Sequence, residues 1–293
     1  DDQSIYGWRG AKSENINRFA TDYKNTEIIR LEQNYRSTSV ILNAANAVIK
    51  NNQGRMGKEL WTDQKEGEPI SIYSAYNEDD EARYVVGSIQ NWVNQGRSLD
   101  EVAILYRSNA QSRVLEEAIL RESLPYKIYG GLRFYERAEI KNAMSYLRLL
   151  YGREDDAAFE RVINIPPRGI GAKTIDIIRA KAAEKNISLW KACEELIDIE
   201  GLTARASQSI QGFMSSFNTL ESDTRDLPLR DIVDMAIERS GLIEYHKKEA
   251  GEKGRTRVEN LSELVGAARD FEPDSFDELE ESALKMFIDH AAL

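Results

Sequence analysis

Apolar and polar positions follow two different periods along the chain, and the period changes near residue 130. Short β-branched runs before that point predict four strands, at residues 27–31, 69–75, 102–106 and 126–129. Apolar residues at helical spacing predict three helices between them, at residues 37–51, 79–93 and 111–120, with Ser37 or Thr38 as the first N-cap. Strands that alternate with helices predict a parallel sheet covered by helices, with ligands bound at the strand ends.

Beyond Gly130 and Gly131 the strand signals fade and apolar residues recur every three or four positions. Three stripes are clear: Ile140, Ala143, Met144, Leu147 and Leu150; Leu229, Ile232, Val233, Ala236 and Ile237; Val258, Leu261, Val265 and Ala268. Each stripe predicts a helix with one buried face. The predicted fold class is therefore α/β plus all-α, a partial parallel-sheet lobe followed by a helical subdomain.

Composition describes an ordinary globular protein: 293 residues, 41% hydrophobic and 30% charged, enough for two domains. No apolar run approaches membrane-spanning length, so no membrane partner is expected.

The single cysteine, Cys193, excludes an intrachain disulfide, suits a small buried side chain and fits a reducing cytoplasm. His246 and His290 are isolated, so no metal site is predicted. A net charge of −11 leaves room only for a local basic surface.

The chain opens with an amide, two aromatic rings and a guanidinium within seven residues: Gln3, Tyr6, Trp8 and Arg9. Two rings this close would suit a buried core, but the glycines around them and the absence of an apolar period favour a loop. Such a loop is suited to touch both phosphate and unstacked bases.

A second motif lies at residues 33–38, where Tyr35 stands beside Arg36. A ring next to an arginine could stack on a purine while the guanidinium grips its phosphates. The alternative is an exposed arginine in a surface ion pair of little energetic value.

The predicted strand at residues 102–106 ends in polar residues, among them Arg107 and Asn109. Because these lie at the ligand edge of the predicted sheet, they are candidates to position a single-stranded backbone without reading its sequence. The alternative is that they only cap the following helix.

A glycine-containing turn at residues 166–174 precedes another helix. Gly169 and Gly171 allow a tight turn that exposes N–H groups and points a helix N-terminus at an anion, with Arg168, Lys173 and Thr174 assisting. The alternative is a plain turn between helices. The segment from Gly251 to Arg257 is a weaker second candidate, for which a solvated loop is the preferred interpretation.

The chain has no phosphate-cradling Gly-x-x-x-x-Gly-Lys-Ser/Thr loop. Two segments come close: residues 169–174 have Ala172 before the lysine, and residues 251–256 have Arg255 in place of lysine. Without that lysine loop, the chain by itself is predicted not to hydrolyse ATP.

The first two motifs, with residues 103–113 and 130–141, resemble those of superfamily 1 DNA helicases, in particular the UvrD, Rep and PcrA group and within it the UvrD type. The resemblance covers essentially the whole chain. It implies that Gln3 senses the γ-phosphate, that Tyr6 and Trp8 line the single-strand channel with Arg9 beside it, and that Tyr35 stacks on adenine while Arg36 reaches the γ-phosphate. Asn142 stands where the family often has aspartate, so the chain departs from the family pattern at one local ion pair.

The resemblance implies a fragment of an ATP-dependent helicase that moves 3′ to 5′ on single-stranded DNA and unwinds duplex DNA in repair. It implies three parts: residues 1–32 as the tail of a first RecA-like lobe, 33–129 as part of a second, and 130–293 as a helical insertion with a helix-hairpin-helix-like element. ATP and Mg²⁺ are expected for the parent, whose magnesium-binding acids would lie before residue 1. Single-stranded DNA, duplex DNA and repair proteins are the expected partners.

The rival interpretation is a non-enzymatic module that binds duplex DNA or a repair protein through its helical half. A recombination nuclease subunit is a further alternative, although no nuclease-like acidic cluster is apparent in the sequence.

Overall fold

The computed structural model describes residues 12, 14–52, 57–64, 66–197, 202–271 and 282–292. The chain divides into two compact units, Asp1–Tyr76 and Asn77–Leu293. The second unit contains residues 77–129 together with the helices that follow residue 130. The division of the chain at residues 32 and 129 stays a prediction.

The first unit contains α1 (Glu14–Asp22) and α2 (Ser39–Ile49). Helix α2 lies within the predicted span 37–51, and Thr38 is its N-cap residue. The side chain of Asn46 ties α2 to the following chain, since its Nδ2 donates to the Leu60 carbonyl at 2.8 Å and its Oδ1 accepts from the Leu60 N–H at 3.1 Å. One parallel bridge, between Gln33 and Trp61, lies beside this contact.

The second unit is built from helices with short connections. They are α3 (Glu78–Asn94), α4 (Ser112–Arg121), α5 (Ala138–Tyr151), α6 (Asp156–Val162), α7 (Ala172–Lys185), α8 (Leu189–Ile197), α9 (Ala204–Thr224), α10 (Leu229–Ser240), α11 (Leu242–Lys247), α12 (Glu252–Asp270) and α13 (Ala283–His290). Local signals explain several ends: the side chains of Asn77 and Asp155 cap α3 and α6, and Gly241 turns the chain between α10 and α11 at φ +79°.

The predicted apolar stripes lie on α5, α10 and α12 and supply the core of the second unit. Ile140, Leu147, Val233 and Leu261 are completely buried. Helices α6, α8 and α9 add an aromatic cluster, in which Phe213 contacts Phe159, Trp190 and Phe217 with ring centroids 5.1–6.1 Å apart. The helical subdomain predicted from the sequence is confirmed in this respect.

The predicted parallel sheet is not confirmed. In the described residues, the four runs expected to be strands lie outside helices and form no ladder with one another. The β-pairing seen in this part of the chain is one isolated bridge between Gln33 and Trp61. Several of the apolar side chains in the four runs are open to solvent; Ile72 is 93% exposed and Leu105 is 92% exposed.

The segment from Gly251 to Arg257 was expected to be a solvated loop, and that expectation is wrong. Gly251 has φ +80°, and α12 begins at the next residue. A β-carbon on Gly254 would lie only 2.5 Å from the His246 carbonyl oxygen, so glycine is needed where α12 passes the end of α11. The Arg257 guanidinium forms an ion pair with Glu249 and is not free for DNA.

Candidate nucleotide and nucleic-acid interface

The Tyr35–Arg36 motif lies in a turn organised by the preceding residue, Asn34. Its Oδ1 accepts hydrogen bonds from the N–H groups of Arg36 at 2.9 Å and of Ser37 at 2.8 Å. This is the side-chain turn that asparagine readily forms. It bends the backbone immediately before α2 and leaves both the Tyr35 ring, 76% exposed, and the Arg36 side chain directed to solvent.

Two glutamines hold the Tyr35 ring in place. The Tyr35 hydroxyl donates to Gln33 Oε1 at 2.7 Å, and Gln33 Nε2 donates to Asp63 at 2.8 Å. Gln64 Nε2 donates to the Tyr35 carbonyl at 2.6 Å. The hydroxyl and the backbone are therefore fixed while the ring remains accessible, as stacking on a planar ligand requires.

Gly67 lies against the side chain of Thr38, the N-cap residue of α2. A β-carbon on Gly67 would lie 2.6 Å from Thr38 Oγ1, so only glycine fits against the N-cap residue.

The first sequence motif, with Gln3, Tyr6, Trp8 and Arg9, lies outside the described residues. Its predicted contacts to the γ-phosphate and to single-stranded DNA stay predictions.

Arg107 and Asn109 lie just before α4, in a segment shaped by Gln111. Gln111 Oε1 accepts from the N–H groups of Arg107 at 3.0 Å and Ser108 at 2.9 Å, the reciprocal half of a capping box. Helix capping, the alternative role for this segment, is therefore present. The side chains of Arg107 and Asn109 are nevertheless exposed, so capping leaves them available to a ligand.

Behind this segment lies a buried polar network centred on Arg137. Its Nη1 donates to the Asn109 carbonyl at 2.9 Å and to Asn260 Oδ1 at 3.0 Å, and its Nη2 donates to Ser112 Oγ at 2.7 Å. Burial lowers the pKa of Arg137, and the nearby Glu116 opposes that shift. The network ties the Arg107–Asn109 segment to α12.

Helix α4 is attached to α12 by a second buried guanidinium, that of Arg113. It lies 2.6 Å from Glu263, 2.9 Å from Glu117 and 3.5 Å from Asp270. Burial works to lower the pKa of Arg113, but Glu117 and Glu263 outweigh it and raise that pKa above its ordinary value. These contacts explain why α4 belongs to the helical unit.

The turn at residues 164–171, between α6 and α7, is organised by Asn164. Its Oδ1 accepts from the Arg168 N–H at 2.7 Å and the Ile170 N–H at 3.4 Å. Gly169 takes φ +77°, a conformation that side chains disfavour, and Gly171 is the N-cap residue of α7. The tight turn predicted from the two glycines is present.

Arg168, predicted to face DNA, is directed into the protein. Its guanidinium donates to the carbonyls of Val162 at 3.0 Å and Pro166 at 3.1 Å and to the Tyr146 hydroxyl at 2.5 Å. It also lies 5.1 Å from the centroid of the Phe213 ring. A phosphate contact would break these bonds, so Arg168 shapes the turn from inside.

The outer side of the same turn carries the groups suited to an anion. Gly171, Ala172 and Lys173 are exposed, and Thr174 is half-buried. The Gly171 carbonyl accepts from Thr174 and Ile175, whereas within the described part of the chain the N–H groups of residues 171–173 have no acceptor. Free N–H groups at a helix N-terminus attract anions.

Other candidate groups have structural roles. Cys193 is fully buried, and burial followed by Glu194 raises the pKa of its thiol to about 12. Arg161 donates to Asn142 Oδ1 at 3.2 Å, so a hydrogen bond stands where an aspartate would form an ion pair. In the described ranges no cluster of three or more His, Cys, Asp or Glu could hold a metal ion. None of the described helices is long and apolar enough to cross a membrane.

Sequence reasoning missed the residues that hold these motifs in place. Asn34 and Asn164 were detectable, because asparagine before a turn commonly accepts from the backbone two or more residues on. Asn260 and Glu263 were not detectable, because their partners lie more than 100 residues away in the sequence.

Residues 29–293 match the family described as UvrD-like helicase C-terminal domain. The chain therefore belongs to this family, and its helical fold agrees with a helical C-terminal helicase domain. It is 57% identical to DNA helicase II of Escherichia coli over 293 residues and 54% identical to DNA helicase II of Haemophilus influenzae over 294 residues. It is 43% identical to the ATP-dependent DNA helicase PcrA of Staphylococcus epidermidis over 292 residues.

All of this chain is covered in each comparison, but only 40–41% of each relative. The comparisons therefore establish the family of this chain, whereas the activity of the longer relatives comes to it only as a proposal.

Proposed function

We propose that this chain works as part of an ATP-driven DNA helicase that moves 3′ to 5′ along single-stranded DNA and unwinds duplex DNA during repair. The observation that carries the proposal is the family match over residues 29–293, together with relatives named as DNA helicases. The exposed, backbone-fixed pair Tyr35 and Arg36 supports it, because a nucleotide clasp needs an open ring and a free guanidinium side by side.

In the proposed clasp, adenine stacks on Tyr35 and Arg36 reaches the γ-phosphate. An arginine in that position stabilises charge that develops during phosphoryl transfer, which is worth on the order of 10³–10⁵ in rate. Gln3 would sense the γ-phosphate. Mg²⁺ would neutralise phosphate charge when bound; the described residues offer it no carboxylate cluster, so its ligands are not assigned to them.

Single-stranded DNA is proposed to contact Tyr6, Trp8 and Arg9 in one segment of the chain and the exposed side chains of Arg107 and Asn109 in another. Stacking on aromatic rings contributes roughly 1–3 kcal/mol per base and tolerates any sequence, which suits a translocating enzyme. The buried Arg137 network supports this role, because it holds the Asn109 backbone rigidly from behind.

Duplex DNA would lie against the turn between α6 and α7, as a helix-hairpin-helix-like element. Gly169 and Gly171 allow close backbone approach, and Lys173 and Thr174 add a charge and a hydroxyl. Arg168 is assigned the internal role of holding the turn, for the reason given by its hydrogen bonds.

The four exposed extended runs are proposed to be strands of a RecA-like sheet that further polypeptide completes. Exposed apolar residues such as Ile72 and Leu105 support this, because strands of parallel sheets are normally buried on both faces. The divisions 1–32, 33–129 and 130–293 belong to the same proposal. A reducing cytoplasmic location fits the buried thiol of Cys193, and repair proteins are proposed as partners.

Two measurements distinguish the helicase function from the rival function, a non-enzymatic module that binds duplex DNA or a repair protein. The chain alone should release no phosphate from ATP with Mg²⁺ and DNA, whereas the same residues joined to a segment with a phosphate-binding lysine loop should do so. DNA-stimulated ATP hydrolysis by the pure chain would refute the proposal that hydrolysis needs a separate segment with a phosphate-binding lysine loop.

The second measurement compares forked, duplex and single-stranded DNA at two salt concentrations. A helicase segment should prefer the fork, because both the single-strand and the duplex surfaces are then engaged. Equal binding to fork and duplex, lost on replacing Gly169 and Gly171, would favour the rival.

A further inference from the structure

Arg205, a residue with no role in the motifs above, lies directly against the turn between α6 and α7. A β-carbon on Gly169 would lie 3.7 Å from Arg205 Nη2 and 3.9 Å from Nε, so the guanidinium edge borders the glycine. Arg205 is exposed and is the second residue of α9. The chain thus places a cation beside the glycine with positive φ, 36 residues away in the sequence.

The position of Arg205 relative to the turn is fixed by its helix. Thr203 caps α9 by accepting from the Ala206 N–H at 3.3 Å, and Ala206 and Ile210 are buried. Further along α9, Phe213 packs on the Arg168 guanidinium inside the same turn. Helix α9 therefore holds the turn from inside through Phe213 and flanks it outside through Arg205.

The electrostatic setting of Arg205 is unfavourable without an anion. A positive side chain in the first turn of a helix opposes the helix dipole. Three exposed arginines of this unit have carboxylate partners: Arg148 with Asp155, Arg179 with Glu160 and Arg239 with Asp223. Within the described ranges Arg205 forms no carboxylate ion pair, so its exposed guanidinium beside Gly169 is accessible to an anion.

We propose that Arg205 binds the phosphodiester backbone of duplex DNA and forms, with the N–H groups of residues 171–173 and Lys173, one continuous phosphate-binding surface around Gly169. The inference rests on the proposed duplex role of this turn and adds a residue to it. A guanidinium grips phosphate through two parallel hydrogen bonds and reads no base, so the contact positions duplex DNA without sequence preference.

The test is fluorescence anisotropy with the 293-residue chain and a labelled duplex at about 50 and 200 mM salt. Arg205→Ala should weaken duplex binding roughly tenfold and reduce the slope of log affinity against log salt by about 1, because one phosphate contact is lost. Arg205→Lys should keep the slope and recover part of the affinity. Binding of a single strand should not change.

Arg225→Ala is the matched control, because it removes the same charge from an exposed arginine at the other end of α9, about 30 Å away. It should bind duplex within about twofold of the unmodified chain. The melting temperature of Arg205→Ala should be unchanged or slightly higher, since a cation has left a helix N-terminus. If that variant unfolds, Arg205→Gln, which keeps much of the stem, gives the same comparison.

The possible outcomes distinguish the role of Arg205 from the proposed duplex-binding role of the turn between α6 and α7. If Gly169→Ala/Gly171→Ala and Lys173→Ala weaken duplex binding while Arg205→Ala behaves like Arg225→Ala, the role of Arg205 is refuted and the duplex surface stands. If the unmodified chain does not bind duplex at low salt, both proposals are refuted. Equal losses on duplex and single strand would also overturn the role given to Arg205.

Discussion

Arg137 donates a hydrogen bond from Nη1 to Asn260 Oδ1 at 3.0 Å, joining side chains 123 residues apart that are 8% and 1% exposed. Asn260 in turn donates from Nδ2 to Glu139 Oε1 at 2.6 Å. A single neutral amide therefore links a buried cation to a buried carboxylate. Through it, α12 holds the start of α5 and the segment that presents Arg107 and Asn109.

Asn260→Ala should lower the free energy of unfolding by about 2–3 kcal/mol, because Arg137 loses an acceptor and Glu139 a donor in a buried place. Urea unfolding followed by circular dichroism measures this loss. Asn91→Ala, on the exposed face of α3, is the control and should change stability by less than about 0.5 kcal/mol. Equal stability of the two variants would show that the network carries little energy.

Arg168 and Lys173, five residues apart, should behave in opposite ways. Arg168→Ala leaves the carbonyls of Val162 and Pro166 and the Tyr146 hydroxyl without their hydrogen-bond donor. The unfolding free energy should therefore fall by about 2–4 kcal/mol. Lys173→Ala should leave stability unchanged and weaken duplex binding. Urea unfolding and anisotropy on both variants measure the contrast. A stable Arg168→Ala variant with reduced DNA affinity would restore Arg168 to the DNA surface.

The buried thiol of Cys193 predicts a loss of stability at alkaline pH. Its pKa is raised from an ordinary 9.0 to about 12, so the unfolded chain releases the proton first as pH rises above 9. The protonated Cys193 thiol therefore contributes its full share of the unfolding free energy below pH 9. That contribution is lost as pH rises toward 12, at about 1.4 kcal/mol per pH unit.

Cys193→Ala isolates this effect from the tyrosines that titrate in the same range. The difference in unfolding free energy between the unmodified chain and this variant should shrink by about 1.4 kcal/mol from pH 8 to pH 10. A difference that stays constant would mean that the thiol ionises normally in the folded chain.

The sequence predicted the helices well because their signals are local. The stripe with Ile140 and Leu147 recurs at the helical period, and burial of that stripe decides the structure. The glycine turn at residues 169–171 was equally readable, because positive φ at Gly169 has a residue-type signature. The Tyr35–Arg36 motif was recognised from its residues alone; its Tyr35 ring is exposed, and its role at the nucleotide stays a prediction.

Other features depend on distant partners. The runs with Ile72 and Leu105 have strand composition, but strands form only when neighbouring strands pair, and no ladder forms in the described residues. The direction of Arg168 was misjudged because a basic residue beside a glycine turn suggests phosphate, whereas the Tyr146 hydroxyl and carbonyls that hold it come from folding. The attachment of α4 to α12 through Arg113 has no local signal.

Arg36 is the residue on which the proposed nucleotide clasp depends most. ATP turnover is measured at saturating single-stranded DNA in a polypeptide that joins this chain to a motor segment with a phosphate-binding lysine loop. Arg36→Ala should reduce turnover about 10³-fold or more. Lys50→Ala, which removes an equal charge at the far end of α2, should stay within about twofold of the unmodified protein. Turnover by Arg36→Ala within tenfold of the unmodified rate would contradict the role of this chain in a nucleotide-driven motor.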